Sequence, residues 1–254
     1  MMNNYILYAD IIRAFATVQV VFLHTSAPLL YNFNTIDLNW WWAGNIIDSA
    51  TRPCVPLFFM LSGMLLLGRE EPLSLFLKKR LGRILIPFLT WALIYLFIFN
   101  DKKSGSVVDI GVSFFIKFIN GPVYYHYWFM YMIILLYLLT PFLRIYVNNA
   151  PSQYTEDFLI LWFLFSSLNP LLNKLFHFYI FGLKVDLLAG YLGYFILGHY
   201  LHRYSLRIKN NQHIWAFISI TFITIFITSF GTYFITKNND GKLILSSTVI
   251  CLHM

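Results

Sequence analysis

Two ionisable residues stand in the first long apolar stretch of the chain, Arg13 and His24, with ten residues between them. A charged side chain at the centre of a bilayer costs about 3 kcal/mol or more, so such a residue usually has a function there. An eleven-residue step along an α-helix returns to within roughly 20° of the starting direction and advances about 16 Å. Asp10 and Thr17 fall near the same line, so the spacing predicts a polar stripe along one helix face.

One chemistry that this stripe would allow is proton abstraction from a hydroxyl, as in acyl transfer to an alcohol. An imidazole such as that of His24 can take a proton from a hydroxyl near neutral pH, which this reaction requires. Alternatively, His24 bonds a neighbouring helix and Arg13 reaches the lipid headgroups or pairs with Asp10. Because the three together are harder to explain by packing, we take His24, Arg13 and Asp10 as the candidate catalytic residues.

A second set of candidates lies in the basic run KKRLGRILIP, which contains Lys79, Arg80 and Arg83. The two arginines are three residues apart, and guanidinium groups suit bidentate contact with phosphate. The alternative is that the run only marks the cytoplasmic side of the membrane. Coenzyme A is anionic and cytoplasmic, so a basic helix end beside an imidazole is consistent with an acyl-CoA co-substrate bound by these three residues, and we expect no tightly bound cofactor.

Three further residues are candidates for binding the acceptor substrate. Arg52 lies deep in DSATRPCVPLFF, where its charge is costly unless it pairs with Asp48 one turn earlier. His126 and Trp128 open the stretch HYWFMYMIILLYLLTP, a position where aromatic residues often form an interfacial belt. The ion pair and the belt are therefore the alternatives to substrate binding.

No metal site is predicted. His199 and His202 end an apolar stretch beside Arg203, with no cysteine or carboxylate near them, which is weak evidence for a metal. Cys54 and Cys251 both sit in apolar sequence, and we interpret them as free thiols.

The composition indicates an all-α, polytopic transmembrane helix bundle. Of 254 residues, 59% are hydrophobic and only 11% charged, which excludes an ordinary soluble protein. The net charge of +7 is interpreted as membrane topology, so we expect the lipid bilayer as a partner and no nucleic acid.

We predict about seven complete spans and a partial eighth within one domain, residues 1–254. The predicted spans are residues 11–31, 46–67, 84–99, 127–147, 158–173, 183–201 and 214–235. The final apolar run, residues 243–254, would rise only about 18 Å as a helix, too short to cross a bilayer. We therefore expect the chain to be incomplete at its C-terminus.

Lysine and arginine in the connecting segments predict a cytoplasmic N-terminus. The segment between the second and third spans and the one after the sixth are basic, whereas residues 32–45, expected to form an outer loop, contain neither residue type. Pro53 and Pro56 are expected to kink the second span. The basic residues of the two segments are Arg69, Lys78, Lys79, Arg80, Arg83, Arg203, Arg207 and Lys209.

Four segments resemble the acyltransferase 3 family of integral-membrane acyltransferases: DIIRAFATVQVVFLH, VPLFFMLSG, KKRLGRILIPF and YWFMYMIILLYLLTPF. The resemblance implies a bacterial inner-membrane enzyme that moves acetyl or related groups from acyl-CoA to surface polysaccharide, lipopolysaccharide such as O-antigen, peptidoglycan or an antibiotic. NIIDSATRPCVPLFFMLSG and VYYHYWFMYMIILLYLLTPFL are most similar to the branch containing the O-acetyltransferase of enterobacterial common antigen.

By this resemblance, Arg13 and His24 are similar to residues required for transfer, because they reproduce the family's spacing of Arg, ten residues and His. Arg80 and Arg83 match its Arg-x-x-Arg pair, which is implicated in acyl-CoA handling. Members of the family generally have more spans than this chain contains, which adds to the expectation of a missing C-terminal part.

The expected function is therefore an O-acyltransferase, with acetyl as the expected group, acting on a hydroxyl of a cell-envelope glycan or its lipid-linked precursor. His24 would act as general base or as a transient acyl carrier. Two alternatives stay open: a polysaccharide or lipid-linked glycan transporter whose path is lined by the buried Arg and His, and a truncated, catalytically silent relative.

Overall fold

A computed structural model describes residues 7–99, 112, 116, 127–168, 187–204 and 211–239. Every element in these ranges is helical, which confirms the predicted all-α class. A π-helical turn, Leu164–Leu168, continues the sixth helix. The helices are α1 Leu7–Tyr31, α2 Leu38–Thr51, α3 Cys54–Leu66, α4 Leu73–Phe99, α5 Trp128–Asn149, α6 Ser152–Phe163, α7 Leu187–Arg203 and α8 Asn211–Asn238.

Four helical segments of the described chain are long and apolar enough to cross a membrane: Leu7–Tyr31, Leu38–Leu66, Trp128–Asn149 and Ile218–Asn238. The first and last of them expose large apolar side chains, among them Phe15, Phe22, Phe226 and Ile227. Surface of this kind is unfavourable in water and suits contact with lipid.

Three more predicted spans correspond to described helices. Residues 84–99 belong to α4, residues 158–168 to α6 with its π-helical turn, and residues 187–201 to α7. The remainder of the predicted fifth and sixth spans, residues 169–173 and 183–186, and the terminal run 243–254 lie outside the described residues.

The predicted kink in the second span is confirmed as a break between two helices. Helix α2 ends at Thr51 and α3 begins at Cys54, with a turn at Arg52 and Pro53 between them. Pro53 has no N–H to continue the helical hydrogen bonds. Pro56 does not break α3, because it lies in the first turn, where its missing N–H would have no partner within the helix.

The prediction of an outer loop over residues 32–45 is wrong in its second half. Helix α2 already begins at Leu38, and the Asp37 carboxylate caps it by accepting a hydrogen bond from the Asn39 backbone N–H at 2.7 Å. Because this cap starts the helix at Leu38, the connection covers only residues 32–37.

The basic segment before the third span is also helical, contrary to the prediction of a loop. Helix α4 begins at Leu73, directly after Pro72, so Lys79, Arg80 and Arg83 project from a helix. Leucine, lysine and arginine all favour helices, and hydropathy marks where the lipid begins and not where a helix begins.

The chain divides into two compact units, one of Met1–Leu65 with Pro151–Met254 and the other of Leu66–Ala150. In the first unit α1 and α2 pack antiparallel. The Gln19 side-chain amide donates to the Ala50 carbonyl at 3.3 Å, and the Trp41 indole N–H donates to the Leu30 carbonyl at 3.2 Å. Helix α8 joins them, because the Asn45 amide donates to its carbonyl of Ser229 at 2.8 Å.

The first unit also contains a close antiparallel crossing of α3 and α7. A Cβ atom at Gly63 would clash with the backbone carbonyl of Phe195, and one at Gly198 would clash with that of Met60. Both glycines thus allow a backbone approach that a side chain would prevent.

The second unit is built on α4 and α5. Phe88, Ala92 and Tyr127 are buried at its core. The ring of Tyr127 lies edge-to-face with Phe88 at 5.3 Å and with Tyr95 at 5.8 Å between centroids. These aromatic contacts fix α4 against the beginning of α5.

Candidate functional site

The polar stripe of α1 begins with an ion pair. Arg13 Nη1 donates to Asp10 Oδ1 at 2.6 Å, which confirms the pairing offered as one explanation of these residues. The two side chains are 48% and 40% exposed. The Thr17 hydroxyl donates to the backbone carbonyl of Arg13 at 2.8 Å, so it is bonded to the backbone of Arg13 and not to its side chain.

His24 is exposed on the same helix, about 16 Å further along its axis than Arg13. Gln19, Leu29 and Leu30 of α1 contact α2 and lie roughly 160° to 260° around the helix from Arg13, whereas His24 lies about 20° from it. The stripe therefore faces away from α2. It presents a cation near one end of a membrane helix and a proton acceptor near its middle.

The basic run places three cations on α4, outside the α1 stripe. Arg80 and Arg83 are on consecutive turns, with Arg80 partly buried and Arg83 exposed, and Lys79 is exposed beside them. The Nε atom of Arg80 is buried and has no hydrogen-bond partner within the described chain. Two guanidinium groups one turn apart can hold one phosphate between them.

Arg83 also lies at one end of an open cavity of about 420 Å³ in the second unit. The cavity follows α4 from Arg83 to Tyr95, a rise of about 18 Å, and is completed by the beginning of α5. Its shape and lining suit a ligand with an anionic end and a long, largely neutral arm. The lining residues are Arg83, Ile84, Pro87, Phe88, Trp91, Tyr95, Tyr127 and Met130.

The structure describes two of the three candidate acceptor residues, Arg52 and Trp128. Arg52 is paired with Asp48, with Nη2 and Nε both bonded to Oδ2 at 2.6 and 2.8 Å, which confirms the ion-pair alternative. Trp128 is the first residue of α5, partly buried, with its ring edge-to-face against Phe129 at 6.3 Å. His126 lies outside the described residues.

One buried cation was not predicted. Arg144 on α5 is only 8% exposed; its Nε donates to the backbone carbonyl of Leu66 at 3.0 Å, and its Cζ lies 4.5 Å from the ring centre of Phe76. The signal was present in the sequence, because an arginine in the apolar stretch TPFLRIYV is costly for the same reason as Arg13.

His199 has an interior position on α7. It is 5% exposed, and neither ring nitrogen has a hydrogen-bond partner among the described residues. It follows Gly198, one of the residues at which α7 approaches the backbone of α3. His199 is therefore an interior residue of α7 and not an exposed metal ligand candidate.

The comparisons with known proteins give one match. Residues 6–253 match a family model described as an acyltransferase domain, that of the acyltransferase 3 family. No curated protein and no solved structure matches the chain. The match covers almost the whole sequence, including α1 with its polar stripe and α4 with its basic run, and it accords with the apolar helices of the structure. The chain therefore belongs to the acyltransferase 3 family and is a membrane acyltransferase.

Proposed function

We propose that this membrane acyltransferase transfers an acyl group, with acetyl as the expected group, from acyl-CoA to a hydroxyl of a cell-surface polysaccharide or its lipid-linked precursor. The observation that carries the proposal is the cavity in the second unit, with Arg83 at one end and aromatic walls along about 18 Å of helix. An acyl-CoA has the matching form, a phosphate-bearing nucleotide followed by an extended neutral arm that ends in the thioester.

Arg80, Arg83 and Lys79 are the proposed binding residues for the phosphates. Guanidinium forks hold phosphate oxygens in pairs, and a lysine adds charge without fixed geometry. The aromatic side chains of Trp91 and Tyr95 would then lie along the neutral arm. The donor is a co-substrate that leaves after each turnover and is not a resident cofactor.

His24 is the proposed general base. Its imidazole takes the proton of the acceptor hydroxyl as that oxygen attacks the thioester carbonyl carbon, and a tetrahedral oxyanion forms. The carbon–sulfur bond then breaks, and the departing CoA thiolate receives the proton from the imidazolium. Arg13, held by Asp10 at 2.6 Å and about 16 Å along the helix from His24, would orient the donor.

Trp128, His126 and Arg52 are the proposed acceptor residues. An indole at the start of a membrane helix offers an apolar face for a sugar ring and an N–H for its hydroxyls. Because Nη2 and Nε of Arg52 are bonded to Asp48, we propose that Arg52 contacts the acceptor through Nη1.

We further propose that the enzyme lies in the bacterial inner membrane with its N-terminus in the cytoplasm. This orientation places the start of α4, with Lys79 and Arg80, on the side where lysine and arginine accumulate. It also supplies the donor from the cytoplasm, where acyl-CoA is made. The resemblance to the enterobacterial common antigen branch favours an envelope glycan as the acceptor.

The test is acetyl transfer in inverted inner-membrane vesicles that contain the full-length protein and its glycan. With radiolabelled acetyl-CoA outside the vesicles, we expect label in the glycan, and we expect Arg83→Gln to raise KM for acetyl-CoA more than it lowers kcat. Lys78→Gln, an exposed cation on the same helix, is the matched control and should leave both constants unchanged.

Export of unlabelled glycan without consumption of acetyl-CoA would instead identify a transporter. A protein that neither labels nor moves the glycan would be a silent member of the family. Either outcome would overturn the proposed reaction.

A further inference from the structure

The buried Arg144 has more hydrogen-bonding capacity than the described structure uses. Its Nε is bonded to the Leu66 carbonyl and its guanidinium plane is supported by Phe76, yet Nη2 is buried without a hydrogen-bond partner among the described residues. A charged donor withdrawn from water and left unpaired is unfavourable, so the chain is expected to keep such a group only where something satisfies it.

Two other residues that interact with Arg144 also have a buried polar atom without a hydrogen-bond partner in the described chain. These atoms are Arg80 Nε and Glu71 Oε1. Both residues interact electrostatically with Arg144, Glu71 by attraction and Arg80 by repulsion, and Arg69 adds a second repulsion. The unsatisfied polar atoms of Arg80 and Glu71 therefore belong to residues whose charges act on Arg144, close to the start of α4.

The charges around Arg144 do not balance. Arg80 and Arg144 are positive and Glu71 is negative, and neither arginine forms an ion pair with Glu71 in the described structure. Arg69 and Glu70 beside them are exposed and opposite in charge, so one positive charge is in excess at a partly buried position, which favours the binding of an anion. A phosphate or pyrophosphate group fits both the charge and the guanidinium donors.

We propose that Arg144 is the buried end of the phosphate site for the acyl donor, and that it binds a phosphate group together with Arg80. This inference rests on the proposed use of acyl-CoA and adds to it a residue outside the basic run of α4. Arg80 is only partly buried, so it connects the interior guanidinium to the surface from which the donor arrives. The Leu66 carbonyl and the Phe76 ring hold Arg144 in place for this contact.

The experiment measures ligand affinity of the full chain in nanodiscs of phosphatidylcholine. CoA and pantetheine are compared, since pantetheine retains the neutral arm and has no phosphate. We expect Arg144→Gln to weaken CoA binding at least tenfold, with the affinity for pantetheine unchanged, and to reduce the salt dependence of CoA binding. Arg144→Lys, which keeps the charge but not the paired donors, should give an intermediate loss.

Two controls separate binding from folding. Lys78→Gln removes an exposed cation of α4 and should change CoA affinity less than twofold. Leu136→Ala shortens a buried side chain of α5 that has no part in the proposed site, so it should lower stability without altering the ratio of CoA to pantetheine affinity. If Arg144→Gln does not fold, the same ratio measured with Arg144→Lys decides.

The outcomes distinguish this inference from the proposed function. If the unaltered protein binds no CoA, the assignment of acyl-CoA as the donor is wrong, and the proposed role of Arg144 is wrong as well. If the unaltered protein binds CoA and Arg144→Gln binds it equally well, only the inference is overturned. If Arg144→Gln keeps its CoA affinity but loses stabilisation by phosphatidylglycerol nanodiscs, the anion that Arg144 binds is a lipid phosphate, and again only the inference is overturned.

Discussion

Removing either partner of the Arg52 and Asp48 pair should destabilise the fold strongly. The pair lies at the end of α2, directly before the break between α2 and α3, with two contacts of 2.6 and 2.8 Å. Its side chains are only 16% and 4% exposed. Breaking a buried pair leaves a charge without compensation, at a cost of about 3–5 kcal/mol. At 1.4 kcal/mol per factor of ten, the folded-to-unfolded ratio should fall roughly 150- to 4,000-fold.

The two single variants should differ in how much they destabilise the fold. After Arg52→Ala the isolated carboxyl of Asp48 can be protonated and lose its charge, whereas after Asp48→Ala the guanidinium of Arg52 stays charged. We therefore expect Asp48→Ala to be the more destabilising change, near the upper end of the range. The double variant Asp48→Leu with Arg52→Met removes both charges and should recover most of the stability.

Thermal unfolding of the purified protein in nanodiscs measures these differences. For a chain of this size the single variants should lower Tm by roughly 6–20 °C. Acyl transfer by the double variant then separates the two roles of Arg52: full activity assigns it to structure alone, and lost activity in a stable protein assigns it to the acceptor. A Tm that is unchanged in both single variants would refute the reasoning.

The remaining predictions concern helix packing and the polar stripe. Gly63→Ala should lower the free energy of unfolding by about 1–3 kcal/mol, because its methyl group would clash with the Phe195 carbonyl. The matched control is Gly82→Ala, where an added Cβ meets nothing within 4 Å. Equal Tm values for the two variants would contradict the close crossing. Asp10→Asn should change stability by at most about 1 kcal/mol, because the pair with Arg13 is exposed, and should still lower acyl transfer severalfold; undiminished transfer would remove Asp10 from the site.

The fold class and the local ion pairs could be predicted from the sequence because both depend on short-range patterns. Long apolar stretches define helices in a bilayer, and residues three or four positions apart meet on a helix. The pairs of Asp10 with Arg13 and of Asp48 with Arg52 follow from that spacing. The position of Pro53 likewise predicted the break before α3.

The helix ends and the contacts between helices could not be predicted in the same way. Hydropathy placed the third span at residue 84, whereas α4 extends back to Leu73 through a mixture of leucine and basic residues that favours a helix. The hydrogen bond from Arg144 to Leu66 joins positions 78 residues apart, and the cavity beside Arg83 exists only once α5 packs on α4. Such contacts depend on tertiary packing, which no local spacing encodes.

The central claim, that His24 supplies the base for acyl transfer, is tested most directly by His24→Ala in cells that make the acceptor glycan. O-acetyl content of the glycan is measured at matched membrane levels of the full-length protein. We predict that the variant is inserted and folded normally, because His24 is exposed on α1, and that O-acetylation is lost. Undiminished O-acetylation at normal expression would contradict the account.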